Sequence, residues 1–174
     1  MVPGGFSEHL LGGNRAASPD RLDSGIKLGK PYILTPCGFD MISCGPIQRR
    51  NENDPLWTSR NLAERKLFLQ DEIRVQARTS IEESQLIARQ VAERLNRYPD
   101  KKMVKFVLPL KGFSSVSVEG GPLHEPESDQ AFISTLKSNL DGAIDIIEVD
   151  THINTPEFAD AIVDALYQAL GKRQ

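Results

Sequence analysis

Cysteine is nearly absent from this 174-residue chain, which has only Cys37 and Cys44. Two cysteines make no disulfide framework, and no further cysteine or paired histidine completes a zinc site. Both thiols are therefore expected to be buried. Long apolar runs are lacking too: none approaches the roughly 18 residues of a membrane-spanning helix. The start, MVPGGFSEHLLGG, has no basic segment followed by an apolar stretch, so no signal peptide is expected. Charge of one sign is not in excess either. With 21 basic and 24 acidic residues the net charge is -3, so no global field favours nucleic acid or an anionic membrane. Arg49-Arg50 and Lys101-Lys102 read as local, solvated pairs. Together these absences predict a cytoplasmic protein without nucleic-acid or membrane partners.

Named catalytic signatures are missing as well. There is no G-x-x-x-x-G-K-[ST] and no G-x-G-x-x-G. The stretch Gly112 to Val116 lacks the second glycine of a nucleophile elbow, which argues against that type of hydrolase.

What is present is a hydrophobic share of 39%, enough for the core of one domain, expected over 1–174. The apolar run Met103 to Leu108, stopped at Pro109, suits a strand buried on both faces of a parallel sheet. Tyr32 to Thr35, Ile73 to Ala77 and Ile144 to Val149 are the other strand candidates. A helix of one or two turns is expected before Gly12-Gly13, and a second from Ser18-Pro19 to about Gly29. Another runs from Thr58 or Ser59 to about Phe68, and 48–57 reads as an exposed loop. Ser80 and Glu83 form a capping box ahead of the stripe Ile87, Val91 and Leu95. Ser128 opens a helix burying Phe132 and Leu136, and Thr155-Pro156 caps the last one. The alternation of strand and helix predicts an α/β, three-layer Rossmann-like domain with a mainly parallel sheet.

In such a sheet all strand carboxyl ends share one rim, where ligands sit. Four loops are expected there: Cys37-Gly38, Arg78-Thr79, Lys111-Gly112-Phe113-Ser114-Ser115, and His152-Ile153-Asn154. Arg78 offers a bidentate donor and Lys111 a point charge. Gly38, Thr79, Gly112, Ser114, Ser115 and Asn154 offer backbone N–H groups, hydroxyls or an amide, and His152 an imidazole that serves as ligand or acid/base. Asp40 is a candidate general base. Each has a plain alternative: Arg78 pairing with Glu82 or Glu83, Lys111 solvated, Ser114 and Ser115 satisfying a turn, His152 orienting backbone, Asp40 capping. The pattern points to a site for an anionic small molecule.

The segments Ser18-Pro19-Asp20-Arg21-Leu22, Asp40-Met41, Arg78-Thr79 with Glu82-Glu83, Leu108 to Ser114, Glu125-Pro126 with Asp129, and His152 to Ala159 occur in that order. Together they resemble the ATP-binding domain family typified by the tobamovirus-resistance protein of tomato, over about residues 5–170. The likeness is to the family's C-terminal half only. The resemblance implies the second of two Rossmann-like lobes, with ATP as cofactor only when the N-terminal lobe is also present. It implies a homodimer, or a heteromer with an N-terminal-lobe protein. Thr155 stands where the family usually has aspartate. Three functions follow as expectations: a lobe binding an anionic molecule, an enzyme on a phosphorylated or carboxylated metabolite with His152 as acid/base, or an interaction subunit.

Overall fold

The computed structural model describes residues 4–171. The chain opens with α1 (Gly4–Leu11) and α2 (Asp23–Leu28), then β1 (Tyr32–Leu34) and β2 (Met41–Gly45). After a 3-10 turn (Ile47–Asn51) come α3 (Pro55–Ser59), β3 (Leu67–Asp71) and β4 (Arg74–Arg78). The second half runs α4 (Ile81–Leu95), β5 (Val104–Pro109), α5 (Pro126–Asn139), β6 (Asp145–Val149) and α6 (Pro156–Ala169).

The strands form two sheets: β1-β5-β6, all parallel, and β2-β4-β3, all antiparallel. The α/β Rossmann-like class expected from the sequence is what the molecule adopts. β5 is the central parallel strand and is buried along its whole length. Val104, Phe106 and Leu108 face the main core with α4 and α5, while Val107 meets Phe158 and Ala165 of α6 on the opposite face. Helices therefore cover both faces of the parallel sheet, and α4 packs closely along α5. Among the described residues no helix is long and apolar enough to cross a membrane.

Local signals account for the helix ends. Ser80 Oγ accepts the Glu83 N–H while Glu83 accepts the Ser80 N–H, so the capping box is complete. Thr155 Oγ1 accepts the Phe158 N–H at 3.1 Å, with Pro156 in the first turn. Gly29, in the left-handed region at φ 57°, ends α2.

Several expectations are corrected. The strand expected at Ile73 to Ala77 exists, but it joins the antiparallel sheet, so the parallel sheet has three strands and not four. The helix expected from Thr58 or Ser59 to Phe68 is instead the short α3, followed by β3. Asp54 caps α3 through the Leu56 and Trp57 N–H groups, and Leu67 and Phe68 find strand partners in Ala77 and Gln76. The stretch 48–57 is therefore less of a loop than expected, and Trp57 is buried, with its indole N–H on the Cys44 carbonyl. Ser18-Pro19 does not start α2: the Ser18 hydroxyl bonds to Asp20, and the helix begins at Asp23. α5 begins at Pro126, two residues before the expected Ser128. Of the two thiols, Cys44 is buried as expected, but Cys37 is only half-buried.

Candidate functional site

The site is built where β5 and β6 end. Their hydrogen-bond ladder continues past both strands: Leu110 N–H donates to the Val149 carbonyl at 2.9 Å, and Lys111 N–H to Thr151 at 3.0 Å. Ile153 N–H then donates to Gly112 at 3.2 Å. This zipper sets Lys111-Gly112 beside His152. Gly112 sits at φ 130°, and a Cβ there would come within 3.2 Å of the Ser117 carbonyl and the Val118 Cα, so the turn requires glycine.

Aromatic packing holds the loops down. Phe113, buried, meets the Phe132 ring edge-on at 5.5 Å between centroids, and Phe39 from the loop after β1 lies 5.4 Å from the same ring. Such pairs add about 0.5–1.5 kcal/mol each beyond area burial. One α5 side chain thus anchors two of the expected site loops.

Above this anchor opens a cavity of about 640 Å³, lined by Leu110, Lys111, Gly112, His124, Asp129 and His152, with Val118 and Ile133 among its apolar walls. Of the site residues expected from the sequence, Lys111, Gly112 and His152 line it together. Lys111 is 60% exposed and pairs with the still more open Asp150 at 2.9 Å. Exposed pairs of that kind contribute about 0–1 kcal/mol, so a ligand can replace Asp150 at little cost. His152 Nδ1 accepts the Asn154 N–H at 3.3 Å, which turns Asn154 toward the imidazole through its backbone.

The other expected residues lie elsewhere. Arg78 is 2% exposed and, with Thr79, Lys66 and Glu125, lines a separate cavity of about 470 Å³. It donates to the Asp40 carbonyl at 3.2 Å, the Glu125 carbonyl at 3.1 Å and Asp129 Oδ1 at 2.5 Å. Neither Glu82 nor Glu83 is its partner: Glu83 is taken by Arg60 and Arg65, and Glu82 by Ser80. Asp40 is buried and accepts from the Ser114 hydroxyl. Thr79 is buried, with its hydroxyl on the Phe39 carbonyl. The N–H groups of Phe113 and Ser114 both donate to Ser117 Oγ, at 3.2 and 3.1 Å, so the loop expected to cradle an anion satisfies these donors internally. Ser115 is exposed on the same loop, and Gly38 lines a separate cavity of about 270 Å³ with Glu8 and Arg15.

β4 belongs to the second sheet, yet Arg78 still reaches the site, because Met41 pairs with Arg78 and the Thr79 N–H donates to Asp40 at 3.2 Å. The chain Ser114–Asp40–Arg78–Asp129 therefore runs beneath the cavity and ends at its wall.

No chemical pattern in the sequence singles out Asp129 as a site residue, although it belongs to the Glu125-Pro126 segment on which the family resemblance rests. In the first turn of a helix an aspartate reads as a dipole partner, and its burial beside Arg78 is visible only in the fold. Burial pushes its carboxyl up, Arg78 pulls it down, and burial wins: the group titrates at about 6. A carboxyl near neutrality in a cavity with His124 and His152 can exchange protons with a bound molecule.

The sequence matches the model of the C-terminal domain of an uncharacterised protein family, UPF0261, over residues 1–170. The chain belongs to the UPF0261 family. A UPF0261 protein of Clostridium tetani is 31% identical over 168 residues, covering 96% of this chain and 39% of that protein. One from Brucella suis is 32% identical over 145 residues, 82% of this chain and 32% of the relative. The ToMV resistance protein Tm-1(GCR237) of tomato is 26% identical over 164 residues, 93% of this chain and 20% of its own length. This UPF0261 domain thus spans two fifths or less of these relatives.

Proposed function

We propose that this domain is a small-molecule-binding lobe whose cavity takes a ligand with an anionic group. The observation that supports it is the cavity of about 640 Å³ at the carboxyl ends of β5 and β6, with Lys111 and His152 at one wall and apolar side chains at another. The volume admits a metabolite or a nucleotide. Nucleotide binding, as the family resemblance suggests, would draw on the part of the longer relatives that lies outside this match. The test is a calorimetric titration with ATP, inorganic phosphate and small carboxylates. At least one should bind, and Lys111→Ala should weaken it about tenfold or more, the loss expected for a charge-assisted hydrogen bond. No binding by any of them at millimolar concentration, or affinities untouched by Lys111→Ala and His152→Ala, would refute the proposal.

A second reading is favoured by α6. Val163, Leu166, Tyr167 and Leu170 follow the i, i+3, i+4, i+7 spacing and are each 39–46% exposed, an apolar stripe on the outer side of the helix. The stripe suits contact with a second lobe or a second copy. Sedimentation of the wild type and of Leu166→Lys tests it: a concentration-dependent dimer lost in the variant supports it, and a monomer throughout removes the second copy.

A further inference from the structure

Behind the cavity wall that Asp129 forms lies a cluster with more acids than bases. Three carboxylates gather around Arg78: Asp129 at 2.5 Å, Glu125 at 3.8 Å and Asp40 at 4.0 Å. The other cation in reach is Lys66, 3.9 Å from Glu125. Three acids thus face two bases. One acceptor records the shortfall: Asp40 Oδ1 is buried without a hydrogen-bond partner. Arg78 satisfies only one oxygen of Asp129, and the side chain is 13% open, on the cavity. Among the described residues no three His, Cys, Asp or Glu side chains gather as a metal site. The geometry calls for a proton or a nitrogen donor at Asp129.

Building on the small-molecule reading of the same cavity, we propose that its ligand is amphoteric: an anionic group meets Lys111, and a basic nitrogen on the same molecule donates to Asp129. The apolar side chains Leu110, Val118 and Ile133 line the rest of the cavity and suit a hydrocarbon body. Asp129 is then a contact of the ligand, and Arg78 is a positioning residue that holds one carboxyl oxygen and leaves the other for the ligand. Charged groups that bear on Asp129 are Arg78 from β4, Asp40 from the loop after β1, and His124 with Glu125 ahead of α5. Lys66 lies behind them, with its ammonium on the His124 carbonyl. Lys111, Glu119 and His152 line the same cavity.

The test is calorimetry with a series of ω-amino acids and the matching simple carboxylates, on wild type, Asp129→Asn and Lys111→Ala. At pH 7.5 the best amino acid should bind about tenfold or more tighter than its carboxylate. Lys111→Ala should weaken both alike, and Asp129→Asn should erase the preference. At pH 5 Asp129 is mostly protonated, so the wild-type preference should shrink; any part of that change kept in Asp129→Asn belongs to the histidines. Asparagine still presents an oxygen to Arg78, and a cooperative melting transition will confirm that the variant is folded. If carboxylates bind but the added nitrogen gives no gain, or the gain survives in Asp129→Asn, the amphoteric ligand is refuted and the anion site stands. If neither series binds and ATP and phosphate do not bind either, both proposals fall.

Discussion

Arg78→Met replaces a fully buried guanidinium by an apolar chain of similar length. It removes donors from the Asp40 carbonyl, the Glu125 carbonyl and Asp129 Oδ1, and leaves the buried Asp40 and Asp129 without their shared cation. Breaking a buried ion pair from one side costs about 3–5 kcal/mol, because the remaining charge is uncompensated. For a domain of this size each kcal/mol moves the melting temperature by roughly 2–4 °C, so a fall of about 6–20 °C is expected. The cost should depend on pH. Without Arg78 the Asp129 carboxyl takes up its proton more readily, so the loss at pH 5 should be smaller than at pH 7.5 by about 1–2 kcal/mol. Urea unfolding at the two pH values measures this, with Lys111→Ala as the exposed control, expected within about 0.5 kcal/mol of wild type. A loss below about 1 kcal/mol at pH 7.5, or one indifferent to pH, would show that Arg78 does not bind the two loops and α5 together as described.

In the wild type, Asp129 titrates at about 6 in the folded chain against an ordinary aspartate value of 3.8, so the folded chain holds the extra proton between these values. Stability should therefore fall as pH rises from about 4 to 6, by about 3 kcal/mol from this group. Asp129→Asn should flatten that slope in urea melts. Glu83 acts in the opposite sense: burial raises its carboxyl, but Arg65 and the Ser80 N–H outweigh it and hold it below the ordinary 4.5. Its contribution is present above that value and lost as pH falls through the folded one. Ser80→Ala should cost about 1 kcal/mol by opening the α4 capping box, read as a lower urea midpoint with unchanged slope. Gly13→Ala would drive a Cβ into the Glu8 carboxylate and force Glu8 off the Ser43 N–H. A loss of about 2 kcal/mol or more is expected, and a neutral result would mean that Glu8 can relocate freely.

Part of this architecture is written locally. Ser80-x-x-Glu83, Thr155-Pro156 and the run from Met103 to Pro109 each state their structure within a few residues, and each is legible. β2 and β3 are not. Met41–Gly45 follows the loop Cys37 to Asp40 and reads as its continuation, and Leu67–Phe68–Leu69 fits a helix face as well as a strand. Both become strands because β4 lies between them, and Met41 pairs with Arg78, a contact no local window contains. The site divides in the same way. Lys111, Gly112 and His152 can be found because they end adjacent parallel strands, while Asp129, His124 and Val118 enter the cavity from a helix and a crossing loop whose placement the strands do not dictate.

Taken alone, the order of residues determined the parallel α/β core, the starts of α4 and α6 and the meeting of Lys111 with His152, since parallel strands must finish on one side. Only the tertiary structure decided that Arg78 reaches that cavity through Asp129 and does not line it. The antiparallel sheet tucks it under α5, where a charge in a dry environment must be met by carboxylates. Of those acids Asp129 also lines the cavity, on which Lys111 stands as well.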